Sequence, residues 1–193
     1  MSVVIVDYNA GNVQSVTYAL NRLGVEPILS AAAEVISAAD KVVFPGVGEA
    51  STAMRFLKDK GLDTVIKDLK QPVFGVCLGL QLMCKHSEEN DTDCMGIFDV
   101  DVKRFEPKLK VPQMGWNTLT DMNSPLFKNL PTDPYVYFVH SYYADLSEHT
   151  VAQTDYVNPF SAALQKDNFY ALQAHPEKSG KIGEKIIENF LAL

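Results

Sequence analysis

Ser2 to Asp7 is an almost unbroken apolar run, the pattern of a strand buried on both faces of a parallel sheet, and the turn from Asn9 to Asn12 places Asn12 to cap a helix. Val13, Val16, Leu20 and Leu23 then recur at helical spacing. Gly24 closes that helix as a left-handed cap, and Val25 to Leu29 predicts a second strand. Ala31 to Asp40 is weakly patterned. Lys41 to Phe44 predicts a third strand feeding Pro45-Gly46-Val47-Gly48, with a helix from about Glu49. Leu62, Val65, Ile66 and Leu69 mark another helical stripe, which Pro72 stops. Val73 to Val76 is a further strand, and Leu78 to Met83 has the apolar density of a buried helix start.

The second half changes character. Ser87 to Asp93 reads as a polar, acidic, solvated loop. Ile97 to Phe105, Asn117 to Leu119, Tyr135 to Val139 and Val151 to Tyr156 predict short strands between Pro, Asn and Asp turns. Phe169 to Ala174 is the last apolar strand. From Gly180, Ile182, Ile186, Ile187, Phe190 and Leu191 form the stripe of a closing amphipathic helix. Strands alternating with helices predict an α/β fold: a mostly parallel central sheet with helices on both faces, and some antiparallel strands in the second half. With no repeat or linker, residues 1–193 are expected to form one domain.

Composition narrows the partners. A formal net charge of −7 without a basic run offers no footprint for nucleic acid or an anionic membrane. The N-terminus lacks the features of a signal peptide, and no stretch is apolar enough to span a bilayer. Three cysteines without framework spacing point to a reducing compartment, so the cytoplasm is the expected location.

The chemistry centres on Cys77. It stands between a strand and a helix in Gly75-Val76-Cys77-Leu78-Gly79, the Gly-x-Cys-x-Gly spacing of a nucleophile elbow, where small neighbours relieve crowding at a strained turn. A helix start favours thiolate over thiol. The bland alternative is a buried cysteine at an ordinary junction. A thiol nucleophile needs a base, and the base an orienting group. His175 ends the Phe169 to Ala174 strand and precedes Glu177 in His-Pro-Glu, with Pro176 disfavouring helix at His175. His140, also at a strand end, competes as base but lacks a carboxylate nearby in sequence; a structural or substrate-lining role is its alternative, with Ser141 and Tyr142 offering polar contacts. Pro45-Gly46-Val47-Gly48 is too short for a dinucleotide fingerprint, yet its backbone can donate to an oxyanion beside the Leu78 N–H, the alternative being a plain turn. No metal-ligand spacing appears, and Asp91 and Asp93 read as solvated. Trp116, the only tryptophan, lies in a loop-like Pro- and Gly-flanked segment, either packed in the core or marking a docking surface.

Together Gly-Val-Cys-Leu-Gly-Leu-Gln at Gly75 to Gln81 and His-Pro-Glu at His175 to Glu177, about a hundred residues apart, resemble the class I (triad) glutamine amidotransferases over nearly the whole chain. The resemblance implies that Cys77 attacks the side-chain amide of L-glutamine, His175 shuttles the proton and Glu177 orients His175. It further implies an oxyanion between the Leu78 N–H and the Gly46 to Val47 peptide, substrate contacts from Gln81, Ser141 and Tyr142, and no cofactor. Pro-Gly-Val-Gly at Pro45, Met-Gly-Trp-Asn at Met114 and Tyr-Phe-Val-His-Ser-Tyr at Tyr137 resemble the branch of the family that passes ammonia through a channel to a separate cyclase subunit, giving a heterodimer with Trp116 and Asn117 at the interface. Gln113 departs from that branch, where a histidine is common, and the departure is expected to fall on the partner-facing surface. The rival readings are an amidotransferase serving anthranilate, aminodeoxychorismate or pyridoxal phosphate synthesis, and a non-catalytic regulatory module on the same fold.

Overall fold

Val3–Val6 form β1, buried at every position as their apolar run predicts, in the computed structural model of the chain, which describes residues 1–8 and 11–193. Asn9 and Ala10, the first half of the predicted turn, lie outside the described residues. The chain continues through α1 (Val13–Arg22), β2 (Ile28–Ser30), α2 (Ala33–Ser37), β3 (Lys41–Gly46), α3 (Ala50–Asp59), α4 (Leu62–Asp68), β4 (Val73–Cys77) and α5 (Leu78–Met83). It then turns mainly to strands: β5 (His86–Ser87), β6 (Thr92–Asp93), β7 (Asp101–Arg104), β8 (Gln113–Thr118), β9 (Tyr135–His140), β10 (Tyr142–Ala144), β11 (Thr150–Asp155), β12 (Pro159–Lys166) and β13 (Phe169–Leu172). The last element is α6 (Gly180–Leu191).

β2, β1, β3, β4 and β13 pair in that order and all in parallel. Beyond β13 the sheet becomes mainly antiparallel through β12, β10 and β7, while β8 and β9 make a separate antiparallel ribbon. Successive strand side chains point to opposite faces, and the core divides accordingly. Val4, Val6, Val42 and Phe44 pack with Ile36, Met54, Leu57, Ile66 and Leu80, from α2 to α5, on one face. Val3, Ile5, Val43 and Phe74 pack with Val16, Leu20, Ile186 and Phe190, from α1 and α6, on the other. The α/β expectation with helices on both faces holds.

Several boundaries differ from the sequence pattern. Only Asp101–Arg104 of the predicted strand at 97–105 is strand, because the backbone N–H groups of Ile97 and Phe98 bond to Met83 at the end of α5 instead. The segment read as a loop at 87–93 contains the short β5–β6 hairpin, and Trp116 lies in strand β8, not in a loop. Asn12 precedes α1 in a left-handed conformation (φ 76°) but does not cap it.

Candidate active site

β4 runs straight into α5, and the junction falls on Cys77, whose φ of 54° and ψ of −108° lie outside the ordinary regions for an L-residue. Such a conformation costs on the order of 1–3 kcal/mol and persists only where its surroundings hold it. The glycines two residues either side explain how it is held. A Cβ on Gly79 would stand 1.9 Å from the Phe44 carbonyl oxygen, and one on Gly75 would press on the Gly79 backbone and the Met83 sulfur. Strand, helix and neighbouring β3 approach so closely that no side chain fits between them.

β13 lies beside β4 in parallel, with Leu172 opposite Val76, so the chain leaving β13 emerges at the same sheet edge as Cys77. Three residues on is His175, and a 3-10 turn at Pro176–Lys178 brings Glu177 back against its ring, with Nδ1 to Oε1 at 2.8 Å. That leaves Nε2 for the sulfur of Cys77, which donates to the Val139 carbonyl at 3.8 Å and accepts from Gln173 at 3.7 Å. Both His175 and Glu177 are inaccessible to solvent. Burial alone pulls the imidazole down, but its interactions with Cys77 and Glu177 outweigh it and raise His175 to about 10. Burial likewise works against the Glu177 carboxylate, and the bonds from His175 and Asn12 reverse it, leaving its pKa below the ordinary value.

The Asn12 contact is absent from the sequence reading. Its Nδ2 donates to Glu177 Oε1, the oxygen that also receives His175, while Glu177 Oε2 is buried without a side-chain hydrogen-bond partner among the described residues. The side chain expected to cap α1 instead ties the loop after β1 to the carboxylate of the Cys-His-Glu group. Gln173, two residues before His175 and wholly buried, was also missed. Its Nε2 lies 3.7 Å from the Cys77 sulfur, and its Oε1 accepts from Gln81 Nε2 at 3.0 Å.

His140 is the competing base that the structure sets aside. It is buried, with Nδ1 2.7 Å from the Tyr142 carbonyl and Nε2 2.9 Å from the Gln113 amide. Burial, opposed by the Tyr142 bond and reinforced by the charge of His175, lowers it to about 4. The atom placed against Nε2 is Gln113 Oε1. A neutral imidazole whose Nδ1–H donates to the Tyr142 carbonyl has an acceptor at Nε2, so exchanging the nitrogen and oxygen of the Gln113 amide gives Nε2 its donor. Gln113 is therefore an interior partner of His140. Its expected place on a partner-facing surface is corrected by its burial, at 3% exposure.

A cavity of about 310 Å³ opens over the sulfur, lined among others by Val47, Leu78, Gln81, Glu89, Ser141 and Tyr142. Gln81 holds the Tyr142 carbonyl through Nε2 at 2.9 Å, fixing the segment that forms one wall. Glu89 is the carboxylate of the lining among the described residues, and its Oε2 accepts from the Ala50 N–H at the start of α3 at 2.7 Å. Its partial burial raises its pKa. It comes from the stretch that the sequence marked as solvated, and a run of acidic residues gave no signal to single it out.

The β3 side of the sulfur is arranged differently. Val42 N–H bonds to the Pro72 carbonyl, so in this parallel ladder the backbone groups of Val42, Phe44 and Gly46 face β4, while those of Val43 and Pro45 face the β1 side. With Gly46 opposite Cys77, the Gly46 carbonyl turns toward the elbow. The Val47 N–H, in the same peptide unit, turns away. On the β8–β9 ribbon, Trp116 is 55% exposed and packs edge-on against Tyr137 at 5.8 Å. The Asn117 side chain is engaged by the Asp155 carbonyl and the Thr118 N–H.

An elbow cysteine, a buried histidine–carboxylate pair beside it and a cavity above define a thiol amidohydrolase on an α/β sheet, and the comparisons give its family. Residues 4–193 match the glutamine amidotransferase class-I model, and the chain belongs to that family of glutamine-hydrolysing enzymes. It is 62% identical, over the whole length of both chains, to the imidazole glycerol phosphate synthase subunit HisH of Bacteroides fragilis strain YCH46. To the protein of the same name from Shewanella sediminis it is 46% identical, covering all of this chain and 91% of that one. The fold superposes on a crystal structure of a glutamine amidotransferase with a TM-score of 0.78 at 19% identity, covering 99% of this chain and 98% of that one.

Proposed function

We propose that this chain is the glutaminase subunit of an imidazole glycerol phosphate synthase, working in the cytoplasm and supplying ammonia to a separate cyclase with which it forms a heterodimer. The observation that carries the chemistry is the pair Cys77 and His175 at the floor of one cavity, with Glu177 buried behind the imidazole. The identity to full-length HisH proteins supports the assignment within the family, and favours it over the other synthases and over a non-catalytic module.

In this reading the Cys77 sulfur attacks the side-chain amide carbon of glutamine, and the carbonyl oxygen becomes an oxyanion. The imidazolium of His175 delivers its proton to the amide nitrogen, so that the C–N bond breaks with ammonia as leaving group. The thioester left on Cys77 is hydrolysed by a water that gives its proton back to His175, and glutamate departs. Glu177 holds Nδ1 and balances the imidazolium. The oxyanion is received by the Leu78 N–H and by the Val47 N–H once the Gly46–Val47 peptide has turned over. Glu89 faces the substrate ammonium, and the backbone of Ser141 and Tyr142, held by Gln81, receives its carboxylate. Ammonia leaves through a channel into the cyclase, beside the exposed Trp116 and the half-buried Asn117 of β8.

Cys77→Ala tests the division of labour. In the complex it should lower glutamine-dependent synthesis by roughly 10⁴-fold or more while synthesis from added ammonium is retained, because acceptor chemistry belongs to the partner. Equal loss with both nitrogen sources, in a complex that still assembles, would show that Cys77 is not the glutamine nucleophile.

A further inference from the structure

The switch proposed for the Gly46–Val47 peptide needs a fixed pivot, and we infer that Tyr8 supplies it: Tyr8 is a positioning residue for the oxyanion strand. The inference rests on the proposed turning of that peptide. β1 pairs with β3 only as far as Ile5 opposite Val43, so β3 runs on past the end of its neighbour for three residues, Phe44, Pro45 and Gly46. The Pro45 backbone faces that vacated side. Proline has no N–H to leave unpaired there, which is why it is tolerated within a strand flanked on both sides, but its carbonyl needs a donor. The hydroxyl of Tyr8, at 2% exposure, donates to it at 2.6 Å, taking the place of the missing ladder bond.

The ring is fixed as well, 4.9 Å from that of Phe44. The hydroxyl also lies over the next residue, since a Cβ on Gly46 would meet it at 2.0 Å. Turning a peptide over rotates ψ of the residue before it and φ of the residue after it. For the Gly46–Val47 peptide those torsions lie beyond the Pro45 carbonyl, so the Tyr8 bond survives in both arrangements. Tyr8 thus confines the motion to one peptide and sets where the Val47 N–H arrives. Oxyanion donors act only within a few tenths of an ångström of their place, so loosening the pivot should reduce turnover and leave substrate binding alone.

The test is Tyr8→Phe, which keeps the ring and removes the hydroxyl, measured in the complex with the cyclase and its ligand. Glutaminase kcat should fall about tenfold. KM for glutamine should stay within about twofold, as should the rate of Cys77 alkylation by iodoacetamide, which forms no oxyanion. Ammonium-dependent synthesis, reporting fold and docking, should be unchanged. Unaltered kcat would overturn the inference, as would a rise in KM or a slower alkylation equal to the loss in kcat, either of which would make Tyr8 a support for the pocket or the thiol. A wild-type enzyme whose turnover does not respond to the cyclase would overturn the peptide switch itself, and the pivot with it.

Discussion

On the β13 side of Cys77, His175 and Glu177 are already joined and buried as an imidazole–carboxylate pair, with the Asn12 amide donating to the carboxylate. On the β3 side, the Gly46 carbonyl points at the elbow and the Val47 N–H away from it. In the proposed mechanism the same sulfur therefore sits between a finished proton relay and an unfinished oxyanion site. The difference follows from how each side is held. Glu177 is locked by two donors, whereas the Gly46–Val47 peptide is the last of its strand and carries a glycine that permits rotation. Under the proposed function, a nucleophile kept ready while the transition-state donor is withheld would give an enzyme that binds glutamine but does not release ammonia without its partner.

The largest way to disturb the finished side, short of removing the triad, is Asn12→Ala. A hydrogen bond to a charged group contributes about 1.5–3 kcal/mol, so glutaminase kcat in the complex should fall roughly ten- to hundredfold. Asn12 lowers the Glu177 pKa, so its loss should raise that pKa and move the acid limb of kcat/KM to higher pH. A variant with reduced kcat and an unmoved acid limb would deny the contact any part in holding the carboxylate.

Trp116→Ala addresses how the unfinished side is reached from outside. As an exposed aromatic on the ribbon beside the site, it should weaken cyclase association by about 2 kcal/mol, roughly thirtyfold in Kd. Titration with the cyclase measures it, and an unchanged Kd with an unchanged Tm would remove Trp116 from the interface.

The smallest effect is on stability. His175 is raised in the folded chain, so its contribution is fully present below its ordinary value of 6.5 and is lost as pH climbs toward about 10. Glu177 is lowered, so its contribution is present above the ordinary carboxylate value and lost as pH falls through its folded pKa. Tm measured from pH 6.5 upward should decline more in the wild type than in His175→Asn. Parallel curves would mean that the relay is not charged as described.

The same contrast separates what the sequence made legible from what it hid. The elbow and His-Pro-Glu are local patterns, and the short-range geometry that makes them chemistry is carried by neighbours in sequence. Asn12 and Glu177 lie 165 residues apart and meet only because α1 and the turn after β13 share one sheet edge. Gln113 looked like a surface variation because its partner, His140, sits on the opposite strand of a ribbon whose register no turn signal announces. β12 was missed because Phe160-Ser161-Ala162-Ala163-Leu164 is buried on both faces and shows neither alternation nor β-branched residues. β10 is only three residues long and offers no period to read.

The central claim, that partner and ligand complete the β3 side and leave the β13 side as it is, is tested most directly by steady-state glutaminase kinetics on three samples: the chain alone, with cyclase, and with cyclase and its ligand. One oxyanion donor contributes about 3–4 kcal/mol, so kcat should rise a few hundredfold across the series while KM for glutamine changes only a few-fold. Full turnover by the isolated chain, or activation confined to KM, would contradict the account.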